Sequence, residues 1–119
     1  MSFIYVFIGG GLGSICRYVI ARLLTQVNST FPLATFAANI LASFLLGFLM
    51  ATAIDGGLSE RNKLILMTGF CGGFSTFSTF SAENFSLLEA GSFGLLALNI
   101  LLSVGLCIFF VFLGYKVGS

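Results

Sequence analysis

Apolar residues run through this chain in four long blocks, and the polar residues that interrupt the blocks recur every three or four positions, the spacing of a single helix face. The blocks cover about residues 3–25, 33–54, 63–89 and 93–117. Each exceeds the roughly 20 residues that a helix needs to cross a 30 Å hydrocarbon layer. The connections are short: QVNSTFP, which holds the single proline Pro32; DGGLSERNK, the most polar stretch; and a tight turn from Glu89 to Ser92. The pattern predicts an all-α membrane protein, one domain over residues 1–119 made of four transmembrane helices, with nothing left for an extramembrane domain. The first block is expected to stay as a span, because it lacks a basic leader and has Ile15, not a small residue, before Cys16.

Composition supports that reading. Hydrophobic residues make up 58% of the chain and charged ones 8%, against roughly 25% charged in a soluble domain. Five Lys or Arg and four Asp or Glu cannot cover a water-exposed surface, so the outside must face lipid. With a net charge of +1 and no basic run, nucleic acid is not an expected partner. Cys16, Cys71 and Cys107 are isolated and the chain has no histidine, which argues against a disulfide framework and a zinc site. No nucleophile stands near a base at a recognisable spacing, so an enzyme is not expected. Arg61, Lys63 and Lys116 would share one side of the membrane, against Arg22 and Arg17 towards the other, a bias too small to choose an orientation.

Polar positions inside the spans mark candidate function, because a charge in mid-membrane costs about 2.5–3.5 kcal/mol on insertion scales. In the first span Gly10, Gly13 and Arg17 share a face with Ser14 and Ala21. That face reads as an anion vestibule, or as an arginine that snorkels to the interface. The second span sets Thr35, Asn39, Ser43 and Gly47 four apart; Asn39 is there a buried amide with four hydrogen-bonding positions to satisfy, a functional candidate or a clamp between helices. Asn99, Ser103 and Cys107 repeat the spacing in the fourth.

The third span carries the strongest signal, TGFCGGFSTFSTFSAE, from Thr68 to Glu83. Gly69, Gly72 and Gly73 followed by a run of Ser and Thr predict a helix broken at its glycines in mid-membrane. Such breaks bare carbonyl oxygens that coordinate cations, and they are tolerated only where protein or a cavity surrounds them. Phe77 and Phe80, three apart beside the break, have positive ring edges that suit a small anion.

Together these segments, GGGLGSICRY, TFAANILASFLLG and TGFCGGFSTFSTFSAE, resemble the small fluoride channels of the Fluc or CrcB family. The resemblance covers all four spans, the fourth being the least distinctive. It implies an antiparallel, dual-topology homodimer in the cell inner (plasma) membrane, with two fluoride pores and a structural sodium ion held between the subunits. It further implies backbone carbonyls of Gly72 and Ser75 on the sodium, Phe77 and Phe80 in the pore, polar pore contacts from Asn39, Thr79 and Ser103, Glu83 along the pathway and Arg17 in the vestibule. Asn99 departs from the tyrosine often found in relatives. The implied activity is passive fluoride export: neutral hydrofluoric acid enters cells and dissociates, and a selective leak drains the trapped anion. The alternative is a proton-coupled small multidrug transporter, for which Glu83 is the single acid well inside a span. A third reading, a non-conducting assembly subunit, would make the polar stripes helix glue.

Overall fold

Segments in lipid must close their backbone hydrogen bonds internally, which leaves helices as the economical solution for a chain of this length. The computed structural model describes residues 1–24, 31–54 and 56–119. Most of the QVNSTFP connection and Asp55 of the next one lie outside the described residues. Among those described, four helices are long and apolar enough to cross a membrane: α1 (Ser2–Leu24), α2 (Leu33–Ile54), the interrupted third span (Glu60–Glu89) and a final helix, Phe93–Gly118. At 1.5 Å per residue the 23 residues of α1 reach about 35 Å, enough for the hydrocarbon layer with some tilt.

The third span begins at Glu60, three residues before the apolar block, because Ser59 caps it: Ser59 Oγ accepts from the Asn62 N–H at 3.1 Å. Its first half, α3 (residues 60–74), passes through a wide-turned π segment over Lys63–Cys71 before Gly72–Phe74 return to α geometry. Its second half is α4 (Phe77–Glu89), and the last helix is α5 (Phe93–Gly118). Gly91 joins them at φ 74°, a left-handed position suited to glycine, with Gly91 N–H on Leu88 O and Ser92 N–H on Leu87 O.

The helix is broken as the sequence predicts, but not at the glycines. Gly69, Gly72 and Gly73 are all helical, and the extended residues are Ser75 (φ −82°, ψ 157°) and Thr76 (φ −151°, ψ 125°). Glycine is a poor helix former in water, but inside a membrane its missing side chain is what lets two helices touch. A Cβ on Gly73 would run into the backbone of Gly10, and one on Gly9 or Gly13 into the backbone of Ile65 or Phe70. The small stripe of α1 therefore centres on buried Gly9 and Gly13, and it seats α3. Gly47 of α2 and Gly114 of α5 do the same for the second helix pair, each against the other's backbone. Between the pairs lie Ala38, Ala42 and Phe74, flanked by Ile20 and Phe70.

These contacts separate two kinds of glycine. Gly114→Ala forces a methyl group into Phe44 and Phe48 backbone atoms, an overpacking cost of about 1–3 kcal/mol. Gly105→Ala, whose Cβ meets nothing within 4 Å, is expected to match or slightly exceed the wild type. Thermal unfolding of the two detergent-solubilised variants checks the contrast; equal midpoints would refute it.

Large apolar side chains cover the outside, Phe3 at 90% exposed and Phe7, Leu101 and Ile108 among them. That is the exterior of a protein whose solvent is lipid.

Candidate functional site

The break works because each backbone group it strands finds a side chain. The ladder of α3 ends where Ser75 N–H donates to Cys71 O at 3.0 Å, and Ser75 Oγ donates to the same oxygen at 2.9 Å. Thr76 N–H, which a continuous helix would send to Gly72, instead donates to Asn39 Oδ1 at 2.8 Å. Asn39 Nδ2 in turn donates to Thr76 O at 3.3 Å, so one amide grips both polar groups of one peptide residue. Thr79 N–H, which would otherwise reach Ser75 O, is taken by Thr76 Oγ1 at 3.2 Å as the N-cap of α4. Gly72 and Ser75 thereby give up the donors that a continuous helix would supply to their carbonyls. The Gly73 carbonyl accepts from Arg17 Nε at 3.2 Å. Arg17 thus neither snorkels away nor stands alone; it is docked on the broken end of α3.

Several cavities surround this point. One of about 310 Å³ is lined by Ser43, Met67, Thr68, Cys71, Gly72 and Ser75. Another, of about 160 Å³, is lined by Asn39, Phe77, Phe80, Ser103, Val104 and Cys107. Between these two runs a shallow hollow bordered by Asn39, Ser43, Ser75, Thr76, Phe77 and Cys107. The Phe77 and Phe80 rings lie 5.7 Å apart at 41°. Phe80 is buried, whereas Phe77 is 78% exposed on a single chain. A further cavity of about 300 Å³ holds Arg17, Thr35, Thr79 and Glu83 with Ser14 and Tyr18.

The polar stripe of α2 is the common wall: Thr35 borders the Arg17 and Glu83 cavity, and Asn39 and Ser43 border the others. Gly47, the fourth member of that stripe, turns instead to α5. Glu83 sits in a chamber; the two extended residues at the break reset the phase of α4 and swing it towards α1 and α2. Its Oε2 accepts from Thr35 Oγ1 at 2.8 Å, and its Oε1 is buried with no hydrogen-bond partner. The guanidinium and the carboxylate face one cavity without pairing; among the described residues the ion pair present is Lys63 with Glu60, at 3.3 Å.

Ser103 is buried, its Oγ donating to Asn99 Oδ1 at 3.1 Å. Asn99 donates through Nδ2 to Asn84 Oδ1 at 2.7 Å. Sequence reasoning missed Thr76 and Asn84 as site residues. The first was signalled by the Thr76-x-x-Thr79 spacing of a capped helix start, the second by an amide inside the last part of a span.

Four membrane-crossing helices, the third interrupted and ringed by cavities into which a few polar side chains reach, define a multi-pass membrane protein. Residues 4–115 match the family model described as CrcB-like protein, Camphor Resistance (CrcB). The chain belongs to this CrcB family. It is 49% identical over 111 residues to a fluoride-specific ion channel FluC of Pyrococcus furiosus, covering 92% of this chain and 89% of that one. It is 45% identical over 110 residues to the protein of the same name from Azobacteroides pseudotrichonymphae, covering 91% and 88%. To that of Shewanella halifaxensis it is 40% identical over 114 residues, covering 95% and 92%. The family is one of ion channels, not enzymes.

Proposed function

We propose that this protein is a fluoride-selective channel that lets the anion leave the cytoplasm passively, working in the cell inner membrane as an antiparallel pair of identical subunits. The observation that carries the reading is the cavity beside the break, where two phenyl rings, the Ser103 hydroxyl and the Asn39 amide converge inside a membrane span. Fluoride is small and tightly hydrated, so a path for it must replace water with close positive partners. Ring edges and hydroxyl protons supply these without offering a fixed cation that would hold the ion too long. Arg17 draws anions towards the vestibule, and Thr35 and Thr79 line the route past Glu83.

A second subunit completes the walls. Phe77, exposed on one chain, would be covered by it. The carbonyls of Gly72 and Ser75, released from their helical donors and bordering one cavity, are hard oxygen ligands that suit a sodium ion, and a partner subunit would supply the matching set. Bound there, sodium would fix a positive charge at the midplane and bind the two broken helices to each other. The multidrug-transporter alternative gains a chamber for Glu83, but the relatives named as fluoride channels favour conduction.

Fluoride efflux from liposomes containing the purified protein tests the reading. Rapid release of fluoride with retention of chloride is expected, and vesicles that keep fluoride, or lose chloride equally fast, would overturn it.

A further inference from the structure

Where α4 meets α5, three polar side chains form a continuous buried line. Asn84 is 9% exposed, Asn99 1% and Ser103, one turn further along α5, 4%. Asn99 Nδ2 donates to Asn84 Oδ1 at 2.7 Å, and Ser103 Oγ donates to Asn99 Oδ1 at 3.1 Å. Ser103 is at the same time a wall of the cavity that holds Asn39, Phe77 and Phe80.

A hydroxyl has one proton and two lone pairs. With its proton committed to Asn99, Ser103 has only lone pairs to offer the cavity, and these repel an anion. Turning the Asn99 amide over about its terminal bond reverses the arrangement. Nδ2 then donates to Ser103 Oγ, and the hydroxyl proton is released towards the cavity. Asn99 Oδ1 now faces Asn84, which must answer as a donor through its own Nδ2. An amide at position 84 can play both parts, whereas an ionised carboxylate can only accept and an alkyl chain can do neither. The terminal torsion of asparagine is broad and roughly two-fold, so the reversal displaces few atoms.

We propose that Asn84 is a positioning residue for anion passage: paired with Asn99, it forms a reversible amide relay that lets Ser103 alternate between donating to Asn99 and donating to a fluoride ion beside Phe77 and Phe80. The inference rests on the channel reading and adds to it a residue that touches neither the cavity nor the anion.

Fluoride efflux from liposomes at alkaline pH is measured for the wild type, Asn84→Leu and Asn84→Asp, each with and without Ser103→Ala. Asn84→Asp keeps the acceptor that Asn99 now uses, so it preserves the packing contact while it removes the donor and adds a negative charge. Ionised Asn84→Asp, which holds Asn99 in its present orientation, is expected to slow efflux about tenfold, the worth of one hydrogen bond to a charged group, whereas Asn84→Leu, which takes a partner from both orientations alike, is expected to slow it far less. In the Ser103→Ala background neither should slow it further, because the group they control is gone. A merely structural role, or a direct effect of the new charge, would multiply with Ser103→Ala. Wild-type rates in Asn84→Asp, or slowing that multiplies, would overturn the relay while wild-type conduction upholds the channel. Wild-type liposomes that retain fluoride would overturn both. Should Asn84→Leu fail to purify, Asn84→Asp decides.

Discussion

Isoleucine at both Phe77 and Phe80 is expected to cut fluoride efflux about a hundredfold while the purified protein keeps its helix content and its elution volume. The two rings lie 5.7 Å apart beside the break, and with Ser103 and Asn39 they frame one cavity. Isoleucine retains the apolar bulk but has no quadrupole, so the positive edges that would replace water around the anion disappear. Edge interactions of about 1–1.5 kcal/mol each correspond to close to tenfold per ring. The packing penalty at buried Phe80 is of the same small order, and exposed Phe77 adds little, so stability changes far less than conduction. Liposome efflux together with circular dichroism and size-exclusion chromatography reads both halves of the expectation. Efflux at the wild-type rate would show that the rings serve packing, and a dispersed elution profile would point to the assembly-subunit reading.

Asn39→Leu carries the largest expected cost in stability. The substitution strips the acceptor from Thr76 N–H and the donor from Thr76 O, 2.8 Å and 3.3 Å away. Both groups lie in an extended stretch that has no helical partner to return to, and in lipid an unsatisfied backbone group is expensive. About 2–4 kcal/mol follows from two stranded groups at roughly 1–3 kcal/mol each, allowing for partial relaxation. Asn39→Asp should fall between the two, because a carboxylate still accepts from Thr76 N–H but cannot donate to Thr76 O. Thermal or detergent unfolding should rank wild type above Asp and Asp above Leu. A leucine variant as stable as the wild type would mean that the break is held by something other than this amide.

The same contacts show which features could be read before any coordinates. The spans were legible because length and hydropathy are properties of a segment alone; only their ends moved, as at Glu60, where the capping hydroxyl of Ser59 extends the helix into polar sequence. The interruption was legible in kind, since glycine, serine and threonine together weaken a helix. Its position was not. Gly69 and Gly73 are consumed in contacts with Gly9 and Gly10, Gly72 stays helical, and the chain opens instead at Ser75 and Thr76, where Asn39 waits on another helix. Arg17 was recognisable as a charge inside a span, but its acceptor, the Gly73 carbonyl, exists only once the break has freed it. The partner of Glu83, Thr35, was not readable, because the direction of the Glu83 side chain depends on two extended residues upstream.

Lipid as solvent, four crossings, a weak point in the third and the residue types gathered around it are written in the order of amino acids, since each follows from local chemistry. Which glycines touch, where the helix opens, that Asn39 closes both ends of one peptide residue and that Asn84 meets Asn99 were decided by packing. The physical reason is that a stranded backbone group or a buried amide is stable only with its partner, and those partners lie 37 and 15 residues away along the chain.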